Sequence, residues 1–351
     1  MNPRLIRSPF HYMMLGYLVL AALAATLSVL GPVTPGSGGE PGVDLLSGLH
    51  ARLGSPARDT LVTGSTDNAA PQCAPELSLA GRELVIDPAT TPHLGTLQFP
   101  NVQPLADKEV LLTFDDGPHP HRTPAILDIL DRYCVKAVFF SVGQMALEHP
   151  EMLREVARRG HVIGTHSYSH PRSLARLGQQ RAKAEIEMGF AAVSHALGGQ
   201  VAPIFRFPGF NQSRGLLDYL AEKKVSVWSV DIVSGDSEFV GSQQLPGVLF
   251  RRLEAQGRGT ILFHDIKKAT TERLADILQR LKDEGYTAVR PSVPGEFTPD
   301  ETLMAMLGQG KPRWPALVHQ AAEKSGTARV AIRSSARPQR VRRALPEFQE
   351  Q

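Results

Sequence analysis

Two adjacent carboxylates, Asp115 and Asp116, follow an apolar run in the stretch LLTFDDGP, residues 111–118. Neighbouring carboxylates repel each other and raise each other's pKa unless a cation or an arginine lies between them. Asp-Gly and Gly-Pro pairs are also common in solvated turns. Taken alone, the pair is compatible with an ordinary turn as well as with a metal site.

Two histidines, His166 and His170, lie four residues apart in the stretch GTHSYSHP. On a helical turn both imidazoles project the same way and can bind one ion. A single His-x-x-x-His is as compatible with a structural pair as with a ligand pair. Together with one carboxylate, two imidazoles suit a first-row metal such as zinc. One aspartate would then bind the metal, and its neighbour beside Arg206 would act as a general base.

The elements that must position these residues alternate between short apolar runs and helical patterns from residue 109 onward. In the helix pattern TPAILDILDRY, Thr123 is expected to cap and Pro124 fits the first turn. The alternation predicts parallel pairing with right-handed crossovers, in an open doubly wound sheet or a barrel. Strands are predicted at 110–114, 136–140, 161–164, 203–206, 225–230, 260–263 and 286–290. Helices are predicted at 123–133, 150–158, 178–197, 214–222, 242–256 and 271–284.

The side chains that could do chemistry fall where these predicted strands end. In both folds the carboxyl ends of the strands share one edge, where active sites form. Five separate stretches are therefore expected to converge. In strand order the candidates are Asp115 and Asp116, His166 and His170, Arg206, Asp231 and Asp236, and His264.

The strings TFDDGP, HSYSH, RFPGF and ILFHD, in this order, resemble the motifs of the polysaccharide deacetylases of carbohydrate esterase family 4. The resemblance covers residues 107–291. It implies a distorted (β/α)7 barrel and the removal of acetyl groups from polymers that contain N-acetylglucosamine. Peptidoglycan, a chitin oligosaccharide and an exopolysaccharide all remain open as the polymer.

The resemblance also implies the metal and base residues. Asp116, His166 and His170 would be the ligands of a divalent metal ion, with zinc expected and cobalt as an alternative. Asp115 would be the general base, and Arg206 would tune it.

Further roles follow from the same motifs. His264 would be the general acid, oriented by Asp236, which is chosen over Asp231 because some family members place that aspartate five residues beyond an earlier one. Leu262 would line the acetyl pocket. Pro208 and Gly209 would contact substrate, with Gly209 as a backbone oxyanion donor.

The chain departs from the family pattern at two positions. Family members often carry an aromatic residue and then glycine after Arg-x-Pro, whereas this chain has Gly209 and then Phe210. Many also follow the orienting aspartate with tryptophan, where this chain has Ser237. The missing indole removes a sugar-stacking contact and leaves substrate identity open.

The amino-terminal stretch predicts a membrane segment. Arg4 and Arg7 precede an apolar run at 12–31, and no charged side chain follows until Glu40. Such a run can cross a bilayer, and the arginines orient its amino terminus to the cytoplasm. We expect an uncleaved inner-membrane anchor with the catalytic domain in the periplasm or exterior; cleavage near Ala22–Ala24 would give a secreted protein instead.

Composition completes the predicted layout. The net charge of +3 is too small to favour a nucleic-acid partner. Cys73 and Cys134 could pair in an oxidising compartment, which the sequence does not decide. The predicted parts are a membrane segment at 1–31, a flexible linker and lead-in at 32–106, the catalytic domain at 107–291, and a basic, largely disordered extension at 292–351.

Three other functions compete with a metal-dependent N-deacetylase. The same barrel could act as an O-acetyl polysaccharide esterase, or as a glycan-binding module without turnover. A non-haem iron oxygenase also uses two histidines and a carboxylate. The adjacent Asp115, the late His264 and the βα alternation disfavour that oxygenase.

Overall fold

The computed structural model describes residues 73–100, 102–238 and 241–310. The apolar run at 12–31 and the arginines beyond residue 328 lie outside the described residues, so the membrane anchor and the basic tail stay predictions. Among the described helices, none combines the length and apolar character needed to span a bilayer.

The strands of the described residues form one sheet, and every ladder between them is parallel. The strands are β1 (Ala80–Val85), β2 (His93–Leu94), β3 (Glu109–Asp115), β4 (Val138–Ser141), β5 (Val162–Thr165), β6 (Ile204–Phe205), β7 (Ser226–Trp228), β8 (Ile232–Val233), β9 (Gly259–His264) and β10 (Thr287–Ser292).

Helices connect most of the successive strands. They are α1 (Arg122–Arg132), α2 (Gly143–Glu148), α3 (Pro150–Arg158), α4 (Gln179–Leu197), α5 (Arg214–Glu222), α6 (Leu245–Gln256), α7 (Lys268–Asp283) and α8 (Glu301–Gly308). Each of the six predicted helices overlaps an observed one. Helix α1 begins before Thr123, whose hydroxyl accepts from the His119 N–H at 2.8 Å and donates to Asp265 at 2.6 Å instead of capping.

The order across the sheet is β1-β10-β3-β4-β5-β6-β7-β2, with β9 also paired to β3 and β8 paired to β9. The expected α/β class with a parallel sheet is confirmed. Closure into a barrel is not seen, because no ladder in the described ranges joins β8 to β7 or β2. Strand β7 continues into β8 through residues 229–231 alone, which is too short for a crossover between neighbouring parallel strands.

The structure differs from the predicted layout at both ends of the catalytic domain. Residues 80–85 and 93–94, assigned to the flexible lead-in, pair in parallel with β10 and β7. Leu84 and Leu94 are buried there, so apolar burial holds this segment on the sheet. Within the extension at 292–351, residues 301–308 form α8.

Strand β3 divides its side chains between two faces of the sheet. Val110, Leu112 and Phe114 pack in the apolar layer between sheet and helices. Leu111 belongs to a second cluster on the opposite face, with Phe140 and other buried residues. Because side chains alternate along a strand, Thr113 and Asp115 share the face of Leu111 and point away from the helices.

A disulfide joins Cys73 to Cys134, with a Cα–Cα distance of 4.9 Å. It links the first described residue to the turn that follows α1. The structure thus pairs the two cysteines whose state the sequence left open.

Candidate active site

The candidate residues lie at the carboxyl ends of neighbouring strands. Asp115 ends β3 and His264 ends β9, and the two are direct partners in the parallel ladder. His166 follows β5, and Arg206 follows β6, whose Phe205 pairs with Thr165. The strand register therefore brings four distant segments to one edge of the sheet.

Asp116, His166 and His170 form a cluster that could hold a metal ion. One ligand atom from each residue lies within 4.8 Å of the others. The Asp116 Oδ1 atom lies 3.2 Å from His170 Nε2 and 3.7 Å from His166 Nε2. That oxygen is buried and has no hydrogen-bond partner. A buried carboxylate oxygen without a donor is costly, so the cluster fits a cation bound by one oxygen and two nitrogens.

His166 is held in the form that a metal ligand requires. Its Nδ1–H donates to the Arg206 carbonyl oxygen at 2.8 Å, which leaves Nε2 to face the cluster. Burial lowers the pKa of His166 to about 3, although the Asp116 charge opposes the fall. The imidazole is therefore neutral and free to coordinate.

Arg206 is fully buried beside Asp115. Its Nη1 donates to Asp115 Oδ1 at 2.7 Å and to the Thr113 hydroxyl at 2.8 Å. Its Nη2 donates to the Ser229 carbonyl at 3.0 Å, and the guanidinium lies 4.1 Å from the centre of the Phe140 ring. The side chain is therefore fixed from several directions.

The surroundings of the Asp115 carboxyl shift its pKa in opposing directions. Burial raises its pKa, while the Arg206 guanidinium and His264 act in the opposite direction. A carboxylate with a raised pKa is a stronger base than one in water and is suited to general-base catalysis.

His264 is paired with Asp236. Its Nδ1–H donates to Asp236 Oδ1 at 2.8 Å, and its backbone N–H donates to Asp236 Oδ2 at 2.6 Å. Thr270 donates to the same Oδ2 at 2.6 Å. Burial opposes protonation of His264, but the Asp236 hydrogen bond and charge, together with Asp115 and Asp116, raise its pKa to about 9. The imidazolium form is suited to donating a proton.

Asp231, the other candidate, has a different environment. Its carboxylate accepts from the Thr96 N–H and from the Thr260 N–H, each at 2.7 Å. It therefore joins the loop after β2 to β9. Among the two aspartates, Asp236 is the one against His264.

Comparison with known proteins relates the part of the chain that carries the metal cluster, Asp115 and Arg206 to a protein family. Residues 103–228 match the family model described as polysaccharide deacetylase. The chain carries a polysaccharide deacetylase domain. The resemblance to carbohydrate esterase family 4 that the four motifs indicated is confirmed.

Two curated relatives and one solved structure show how far the similarity extends. The chain is 32% identical over 186 residues to the peptidoglycan-N-acetylmuramic acid deacetylase of Bacillus subtilis, covering 53% of this chain and 38% of the relative. It is 35% identical over 125 residues to the chitooligosaccharide deacetylase of Azorhizobium caulinodans, covering 35% and 59%. A peptidoglycan deacetylase from Bdellovibrio bacteriovorus superposes with a TM-score of 0.55 and 33% identity, covering 65% of this chain and 61% of that chain. The chain thus spans less than two thirds of each of the three.

The predicted substrate contacts of the deacetylase domain lie around this edge. Leu262 is on β9, two residues before His264 on the same face, and is 5% exposed. Pro208 is buried at the start of a short 3-10 turn after β6. Gly209 is exposed, with φ of +57°, and a Cβ there would lie 3.6 Å from the Arg172 carbonyl oxygen. The Gly209 turn therefore lies against the segment that follows His170.

Sequence reasoning missed two buried acids of the deacetylase domain. Asp265 accepts from Thr123 and lies so close to Gly117 that a Cβ there would be 2.0 Å from its Oδ2. Burial raises its pKa to about 7, although the Thr123 hydrogen bond opposes the rise. Glu185 lies on the buried face of α4. An acid at a core-facing helix position, or directly after a strand-end histidine, is the signal that could have revealed them.

Proposed function

We propose that this chain is a metal-dependent deacetylase that hydrolyses N-acetyl groups of an amino-sugar polymer in the cell envelope. The observation that carries the proposal is the register of β3 and β9. It makes Asp115 and His264 direct neighbours beside the Asp116, His166 and His170 cluster. A base and an acid beside a cation site are the groups that amide hydrolysis needs.

Zinc is the proposed metal, with cobalt as an alternative. Asp116, His166 and His170 supply a hard oxygen and two imidazole nitrogens, a donor set that suits either ion and leaves positions open. When bound, the metal would act as a Lewis acid on the acetyl carbonyl and acidify a water molecule.

The residues of the chain would divide the proton transfers. Asp115, oriented by Arg206, takes a proton from the attacking water as its oxygen bonds to the acetyl carbon. Protonated His264, oriented by Asp236, donates its Nε2 proton to the sugar nitrogen as the C–N bond breaks. Acetate and a free amine result. The Gly209 N–H is the proposed backbone donor to the oxyanion, and Leu262 the proposed wall of the acetyl pocket.

The substrate is proposed from the relatives' names and the site together. The Bacillus relative is named for N-acetylmuramic acid in peptidoglycan and the Azorhizobium relative for chitooligosaccharides. Both are acetylated amino-sugar polymers. We propose the same class of substrate for this chain.

We also propose that the catalytic domain at 107–291 is exported and tethered to the inner membrane. Arg4, Arg7 and the apolar run at 12–31 support this orientation. A reporter enzyme that works only outside the cytoplasm, fused after Gly39, should be active. Activity from a reporter that works only in the cytoplasm would contradict the proposal.

The decisive experiment is mass spectrometry of peptidoglycan and chitin oligosaccharides after incubation with the purified chain and zinc or cobalt. The expected product is lighter by one acetyl group per deacetylated sugar, with acetate released. His264→Ala is the matched control and should bind glycan with little turnover. Binding without turnover in the parent chain would indicate a glycan-binding module, and loss of O-acetyl groups alone would indicate an esterase.

A further inference from the structure

We infer that Glu185 is a positioning residue that holds the metal-binding turn in its ligating geometry. The turn runs from His166 to His170, and Glu185 lies beneath it on α4. The inference rests on the proposed metal site and adds a residue outside the four motifs to it.

The carboxylate of Glu185 accepts hydrogen bonds from the middle of this turn. Its Oε2 accepts from the backbone N–H of Ser169 at 2.9 Å and of Tyr168 at 3.2 Å. Its Oε1 accepts from the Ser169 hydroxyl at 2.6 Å. Glu185 is 1% exposed, so these donors replace water around the carboxylate. One side chain therefore fixes two successive residues midway between the two histidines.

The turn has a backbone that needs such support. Ser167 has φ of +66° and His170 has φ of +55°, both in the left-handed region that residues with a Cβ disfavour. Within the turn, the Ser167 hydroxyl accepts from the His170 N–H at 3.1 Å. Left-handed residues persist where surrounding contacts over-determine them. The hydrogen bonds to Glu185 are such contacts.

Helix α4 also supports the turn through its backbone. A Cβ at Gly189 would lie 2.8 Å from the Ser167 carbonyl carbon. Gly189 is one helical turn after Glu185, so both residues face the histidine turn. The close approach lets a glutamate side chain reach the turn and leaves no room for the turn to move toward the helix.

Two substitutions of Glu185 distinguish its role as a hydrogen-bond acceptor from the effect of its negative charge. In Glu185→Gln the amide oxygen can accept from both backbone N–H groups, and the amide nitrogen can donate to the Ser169 hydroxyl oxygen. In Glu185→Ala the Ser169 N–H and hydroxyl lose their acceptor inside the protein, while the Tyr168 N–H keeps the backbone carbonyl oxygen of residue 185 at 3.0 Å. If the residue positions the ligands, glutamine should retain the function and alanine should lose it.

The test is titration of the metal-free full chain with Co²⁺, followed by the visible absorption spectrum and by competition with a chelator. Outer partners of metal ligands change affinity by about 10- to 100-fold, so Glu185→Ala should weaken Co²⁺ binding by that factor and shift the spectrum. Glu185→Gln should stay within about threefold of the parent. The matched control is Glu187→Ala on the same helix, because Glu187 contacts the Tyr219 hydroxyl and Lys223 rather than the turn. It should change neither affinity nor spectrum.

Parent affinity and an unchanged spectrum in Glu185→Ala would overturn the inference, as would equal weakening in Glu187→Ala. If Glu185→Ala does not fold, Glu185→Asp takes its place, because its side chain is one methylene shorter and its carboxylate does not reach the turn. Parental Co²⁺ affinity in Glu185→Asp would also overturn the inference. A parent chain that binds no Co²⁺ would overturn the metal site itself. Failure of the proposed function is thereby distinguished from failure of this inference.

Discussion

Asp236→Asn should move the alkaline limit of activity to lower pH. Asp236 accepts from His264 Nδ1, from the His264 N–H and from Thr270, so its carboxylate acts only as an acceptor. Asparagine keeps the shape but turns one acceptor into a donor and removes the charge. The proton on His264 then loses its main stabilising partner.

The size of the effect follows from the pKa of His264, which is raised from 6.5 to about 9. The protonated form is the proton donor, so activity is present below this pKa and is lost as pH rises through it. If the variant returns to about 6.5, the protonated fraction at pH 8 falls from about 90% to about 3%, roughly 30-fold. At pH 6 the same change in pKa lowers the protonated fraction of His264 by less than about twofold.

The assay is acetate release from an N-acetylglucosamine oligosaccharide, with kcat/KM measured from pH 5 to pH 10. Asp231→Asn is the matched control because it makes the same change five residues earlier without contacting His264. Its alkaline limit should match that of the parent. The reasoning is refuted if Asp236→Asn retains the parental alkaline limit and the parental kcat/KM at pH 8.

Three further predictions test other parts of the site and fold. Asp115→Asn should retain metal while kcat falls by about 10²- to 10⁴-fold, whereas Asp116→Asn should weaken metal binding in a chelator competition; equal metal loss in both would contradict their separate roles. Arg206→Met leaves buried Asp115 without its partner and should lower the free energy of unfolding by about 3 to 5 kcal/mol in a urea titration; a cost below about 1 kcal/mol would count against the ion pair. Cys73→Ser opens a disulfide with a sequence separation of 61 and should cost about 2 to 4 kcal/mol, with no further cost from adding Cys134→Ser.

The parts of the fold that the sequence predicted are those with enough residues to show a period. Strand β3 and helix α4 are long, and their apolar patterns identify both the element and its buried face. Strand β8 contains only Ile232 and Val233, too few for any period, and it lies beyond the end of the predicted strand at 225–230. Strands β1 and β2 lie in the predicted linker and lead-in, where the sequence allows a short strand at 82–87 but does not predict pairing with β10 or β7, which are distant in sequence.

The residues of the candidate site also fall into those that the sequence could predict and those that it could not. Residues at strand ends, such as Asp115 and His264, could be assigned to one edge because parallel topology alone brings them together. Glu185 could not be found this way, because its role depends on how closely α4 approaches the turn after β5. Closeness of packing between elements is a tertiary property that residue spacing does not encode.

Arg206 contacts both the proposed base and a proposed metal ligand, one through its side chain and the other through its backbone. Its guanidinium binds the Asp115 carboxylate, and its backbone carbonyl accepts from His166 Nδ1. Movement of this one residue would displace the base and a metal ligand together, so the energetics of the two are linked. Asp115 Oδ2 and His166 Nε2 also lie only 3.6 Å apart. In a double-mutant cycle, changes at Asp115 and His166 should be non-additive for both reasons, with an interaction energy of about 0.5 to 3 kcal/mol. Proton affinity at the base and cation affinity at the cluster would then change together, so that a substitution meant to adjust one of them also alters the other.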